Sequence, residues 1–215
     1  MIGTVQSSSD PHSQFKKYLD LMIGIKNRIS HIEKIYNKQN TTGSIEYDIE
    51  LICLHLRKIL EAICLGSVVM NKTEFERLQR DYISYRSNAQ FFDQLKKMNP
   101  DFYPKPIIQG EKDSNGNLQI YDRKEGFLTK EELIALTSDL NKLAHVENPY
   151  GVPVDYTAYW IKIPEWLNRI HMLLHCHLIK LHGSKNFYRV YVYNQDDEKV
   201  YAFEHIHPDN LAKKH

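Results

Sequence analysis

Apolar residues recur at helical spacing along most of this chain. Between residues 13 and 38, Phe15, Tyr18, Leu19, Met22, Ile25, Ile29, Ile32 and Tyr36 keep a helical period, with Lys16, Lys17, Lys26, Arg28 and Lys34 beside or opposite it. The pattern predicts an amphipathic helix. QNTTGS ends it, with Gly43 as a turn residue. From Ile45 to Met70 the apolar positions cover far more than one side, which predicts a second helix enclosed by its neighbours. So short a link predicts an antiparallel pair.

Thr73-Glu74-Phe75-Glu76 has the form of a capping box, and Ser87-Asn88-Ala89-Gln90 repeats it. A third helix should therefore open near 73 and break near 86. A short helix with Phe91, Phe92, Leu95 and Met98 should follow, stopped at Asn99-Pro100. Pro104 and Pro106 argue against a helix next, and Asn115-Gly116 is a hairpin turn between PIIQGEK and NLQIYDR. Leu128-Thr129-Lys130-Glu131-Glu132-Leu133 carries a complete helix start, with Thr129 as cap, Glu132 closing the box and Leu128 stapling onto Leu133. That helix should run to about His145, broken by Asn148-Pro149-Tyr150-Gly151.

Trp160, Trp166, Leu167, Ile170, Leu173, Leu174, Leu178 and Leu181 predict a last long helix over 157–182, started or kinked by Pro164 and ended by Gly183. NFYRVYVYN and KVYAFEHI alternate like strands and predict a terminal hairpin. The expected fold is mainly α. It is a bundle of about five to six helices over 13–183, with an irregular excursion near 100–126. A tail over 1–12 precedes it, and a β-hairpin over 184–207 packs on the same domain.

Composition narrows the function. Lys and Arg number 28 against 27 Asp and Glu, so nothing in the overall charge marks a strongly electrostatic nucleic-acid or membrane binder. No long uncharged apolar run predicts a membrane span, and the first residues lack a secretory pattern. Cys53, Cys64 and Cys176 lie in apolar runs without a CxxC pair, the usage of reduced core thiols in a cytoplasmic protein.

Three constellations could carry chemistry. Glu50, Arg57 and Glu61 fall within about 40° of one another around the second helix. They form either a structural ion-pair stripe or an Arg that holds a phosphate beside a carboxylate. Asn141 and His145 share a helix face before a Pro-locked turn, which suits either a C-terminal cap or a general acid–base His. Arg169, His171, His175 and His177 crowd the last helix, where His171 and His175 have metal-ligand spacing or line a polar seam. His177 falls with the apolar residues and reads as a hydrogen-bonded core group. Phosphate-binding Gly loops, nucleophile elbows and paired-cysteine metal sites are absent from the sequence.

Arg169-Ile170-His171-Met172-Leu173-Leu174-His175 places five residues between Arg and His. Within a helical outline of this size, that spacing resembles the HEPN group (higher eukaryote and prokaryote nucleotide-binding domains), although Ile170 stands where the group commonly has a small polar residue. LHLRKILEAICLGSVV and LNKLAHVENPYG are also similar to stretches of uncharacterised bacterial proteins. The HEPN resemblance implies a metal-independent ribonuclease of a toxin or phage-defence system, without cofactor, that binds RNA or a nucleotide and works as a homodimer. His145, Arg57, Glu61, Arg169 and His175 are its candidate catalytic residues. In that chemistry a His serves as acid or base and an Arg stabilises the phosphorane charge. The competing expectation is a non-catalytic module that binds a protein partner through Tyr188, Tyr191, Tyr193 and Tyr201. A further alternative is a metal held by His171, His175 and Glu61.

Overall fold

The computed structural model describes residues 11–84, 88–114, 118–143, 150–193 and 199–205. Helix α1, Pro11–Tyr36, and helix α2, Ile45–Leu65, are joined through Gly43, whose φ of 91° only glycine adopts without strain. The chain doubles back there, so that Arg28 meets His55 and Tyr18 meets Gly66 near the far ends. Asp48 holds the turn. It is 4% exposed, and its carboxylate accepts from Thr41 Oγ1 (2.5 Å), Thr42 N (2.7 Å) and Thr42 Oγ1 (2.8 Å). Burial alone would raise its pKa, but these bonds outweigh it and hold the carboxylate charged.

Helix α2 is the central rod. Ile49, Ile52, Cys53, Leu56, Ile59, Leu60, Ile63 and Cys64 are all buried, and it packs on α1, α3, α5 and α6. A single 3-10 turn, Gly66–Val68, ends it. Helix α3, Lys72–Ser84, is capped by Asn71, whose Oδ1 accepts from Glu74 N at 3.1 Å, rather than by the expected Thr73 box. Helix α4, Asn88–Met98, stops before Pro100 as expected. The predicted break near 86 lies outside the described residues. Helix α5, Lys130–Lys142, begins with the predicted box: Thr129 Oγ1 accepts from Glu132 N at 3.2 Å, and the Glu132 carboxylate from Thr129 N at 2.9 Å.

The mainly α expectation is corrected here. The chain forms an α+β fold with a five-stranded antiparallel sheet ordered β2-β1-β3-β4-β5. β1 is Lys105–Lys112, β2 Leu118–Asp122, β3 Cys176–Lys180, β4 Phe187–Tyr191 and β5 Tyr201–His205. Helix α6, Tyr156–Leu174, ends eight residues before 182, and CHLIK, expected to be helical, is the central strand. It pairs with β1 on one side and β4 on the other, joining the two predicted hairpins into one sheet. The supposed excursion near 100–126 therefore supplies two of the five strands. Gly183, φ 79°, turns β3 into β4.

One face of the sheet lies on the helices. The rings of Phe15 and Tyr188 stack at 4.2 Å, and the Tyr18 hydroxyl meets His177 Nε2 at 2.7 Å. His177 is fully buried, as its apolar company in the sequence suggested, but it gets there on a strand. Cys53, Cys64 and Cys176 are free thiols in the interior. Among the described residues no helix is long and apolar enough to cross a membrane.

Candidate functional site

The charged stripe of α2 disperses along the rod. Glu50 accepts from the Tyr156 hydroxyl at 3.1 Å, tying α2 to the start of α6. Glu61 is half-buried. Burial raises its pKa, while a bond from Gln79 and the charges of Lys58, Arg57 and Arg28 pull it back. Arg57 makes no hydrogen bond or ion pair to a described residue, and no described imidazole comes to it from later in the chain. His145 lies outside the described residues. Arg169 is pinned between Glu165, at 3.0 Å, and Glu132, the same residue that closes the α5 capping box. It therefore links α6 to the start of α5 and does not turn towards His175.

His171 and His175 do come together. They occupy the last turn of α6, where His175 N donates to His171 O at 2.7 Å before the chain enters β3. Their rings stack with centroids 5.4 Å apart and planes 30° apart. Three further elements converge on them. Tyr193, just past β4, lies 4.2 Å from the His171 ring. Lys26 of α1 stands 5.8 Å from the Tyr193 centroid, and the charge of Glu33, on the same α1 face further along, reaches the Tyr193 hydroxyl. Arg123, the residue after β2, acts electrostatically on both imidazoles.

The electrostatics favour neutral rings. Burial lowers the pKa of His171, and the neighbouring His175 and Arg123 lower it further. Burial and then Arg123 do the same to His175. Burial and then Glu33 push the Tyr193 phenol well up, so it stays protonated. His175 Nδ1, Arg123 Nε and the Tyr193 hydroxyl are buried without a hydrogen-bond partner among the described residues. His171 opens onto a cleft of about 470 Å³ between α1 and α6, lined also by Ile29, Glu33, Tyr36, Leu167 and Met172.

The arrangement can accept a proton at an imidazole, donate one from a phenol, and counter an anion with a guanidinium. It suits a metal poorly. Stacked rings aim their nitrogens along near-parallel planes rather than at one point, and among the described residues no three His, Cys, Asp or Glu are grouped to hold an ion. Glu61, the third candidate ligand, is engaged with Gln79 on α2.

Sequence reasoning found the imidazoles because they are neighbours on one helix. It missed Arg123 and Glu33 and assigned Tyr193 to a partner surface. Reading CHLIK as a strand would have brought the end of β4, with Tyr193, beside His175, and the end of β2, with Arg123, one strand away across β1; Glu33 comes from α1. The four tyrosines assigned to a partner surface divide. Tyr188 is 5% exposed and Tyr193 faces the cleft residues, while Tyr191 and Tyr201 stand on the outer side of the sheet. No family model matches the chain, and comparison with curated proteins and with solved structures finds no similar protein.

Proposed function

We propose that the cleft between α1 and α6 binds a phosphodiester of RNA and cleaves it by acid–base chemistry, with the roles drawn from Arg169 and His175 in the sequence moved to Arg123, His171 and His175. The carrying observation is the stacked imidazole pair, held neutral by burial beside a guanidinium, with His171 lining the cleft. One imidazole takes the proton of the 2′-hydroxyl as its oxygen attacks the adjacent phosphorus. The bond to the 5′-oxygen breaks, and that oxygen takes a proton from the other imidazole, which the bound phosphate has kept protonated by its charge. Arg123 stabilises the pentacoordinate phosphorane. The products are a 2′,3′-cyclic phosphate and a 5′-hydroxyl.

The test is cleavage of a labelled single-stranded RNA in the presence of chelator. His171→Ala, His175→Ala and Arg123→Ala should each lower the rate at least a hundredfold, in line with the usual weight of such groups. Arg169→Ala should leave it unchanged. The rate should be bell-shaped in pH and centred on the acid side of neutrality, because both imidazoles titrate below their ordinary range. Cleavage abolished by His145→Ala but unaffected by His171→Ala and His175→Ala overturns the assignment.

A further inference from the structure

We propose that the solvent-facing side of the sheet is a stacking platform for single-stranded RNA. This rests on the chain being RNA-directed but not on the chemistry at His171 and His175. The strand register builds the platform in rows. Lys105, Leu178, Arg189 and Phe203 are successive partners across β1, β3, β4 and β5. Cys176, Tyr191 and Tyr201 form the next row, and Lys180 pairs with Phe187 in the third. Alternate residues Tyr188 and Val190 turn into the core, as period-two alternation requires. Phe203 is 48% exposed and Phe187 40% exposed, in a layer whose other side packs on the core at Tyr188 and Val190.

Charge selects the occupant. The Arg189 guanidinium lies 5.1 Å from the Phe203 centroid and 5.6 Å from that of Tyr191. Arg77 and Arg169 are each held by two carboxylates, but Arg189 has no ion pair among the described residues, and its buried Nε has no hydrogen-bond partner. No Asp or Glu stands in the three rows. Asp122 and Asp101 lie at the margin, where they pair with Lys105 and Lys180. A guanidinium with no ion pair among the described residues, set between the part-exposed Tyr191 ring and the exposed Phe203 ring, matches a chain of phosphates carrying flat bases.

The experiment is fluorescence anisotropy with a labelled 2′-O-methyl oligouridine, which lacks the attacking hydroxyl and so reports binding alone. Phe203→Ala and Arg189→Ala should each raise Kd about tenfold, the scale of one lost base stack. Ile161→Ala, on the 69% exposed Ile161 of α6, should leave Kd unchanged. Circular dichroism verifies that each variant is folded, and photo-cross-linking of a 4-thiouridine strand to residues 187–203 gives a second readout that needs no substitution. Wild-type binding with unchanged Kd in both sheet variants overturns the platform. So does an absence of binding, or self-association of the chain that Phe203→Ala abolishes. Tight binding without cleavage retains the platform and removes the nuclease; cleavage with no effect of Phe203→Ala or Arg189→Ala on Kd does the reverse.

Discussion

Two residues beneath the sheet fix each other's chemistry. His177 Nδ1 lies 3.0 Å from Leu174 O, which can only accept, so Nδ1 carries the hydrogen and Nε2 accepts from the Tyr18 hydroxyl. Both residues are fully buried, and burial raises the Tyr18 pKa, so that hydroxyl stays protonated and donating. Gly66 completes the fit. A Cβ there would stand 2.9 Å from Tyr18 Cε2, and the enclosed ring cannot swing away without breaking its bond to His177. Gly66→Ala should therefore cost about 1–3 kcal/mol through overpacking. Tyr18→Phe should cost a similar amount, about 1–3 kcal/mol, by leaving Nε2 buried without a donor. Urea unfolding measures both. Midpoints equal to wild type would mean that neither the ring position nor the hydroxyl matters to the core.

At the scale of elements, α5 and α6 are joined where capping and ion pairing share one carboxylate. Glu132 closes the Thr129 box and also receives Arg169, and the Thr129 backbone N–H is the main reason its pKa is lowered. Thr129→Ala should cost about 1 kcal/mol, the usual weight of an N-cap. Arg169→Ala should move the urea midpoint less, because exposed pairs contribute little. A larger loss from Arg169→Ala would show that the ion pair, not the cap, fastens the helices. This box, the α1–α2 pair and both hairpins were legible because their signals are local: a cap three residues from its partner, strand-like runs close in sequence, a period held over many residues; the Asn115-Gly116 turn itself lies outside the described residues. The α6–β3 junction was not. Leu174, Leu178 and Leu181 continue a helical period, and no Gly or Pro marks residue 175. What makes CHLIK a strand is the presence of β1 and β4 on either side, and sequence spacing does not report such long-range pairing. The site failed to appear for the same reason. His171 and His175 are four residues apart, but Arg123 and Tyr193 reach them only through the sheet.

The whole molecule carries almost no net charge, so its response to pH comes from groups the fold has displaced. Among the imidazoles the largest displacement is that of His177, lowered by burial to about 4 from an ordinary 6.5. His171, His175 and His55 are also lowered, each first by burial. Below pH 6.5 the unfolded chain binds protons that these imidazoles refuse in the folded state. Stability is therefore full above pH 6.5, falls as the pH drops towards 4, and loses no more to His177 below that. His177 alone contributes about 3 kcal/mol to the fall, and the part-exposed imidazoles add smaller amounts. Asp48 and Glu132, whose carboxyls are held low by hydrogen bonds, add their losses at more acid pH. Urea midpoints should consequently hold from pH 7.5 to about pH 6.5 and decline from there to pH 5. Over the same interval the His177 ring protons should hold a constant NMR shift while exposed histidines titrate. A midpoint independent of pH, or a His177 titrating near 6.5, would mean that water reaches the imidazole, and the Tyr18–His177 bond could not then be the sealed link between α1 and the central strand.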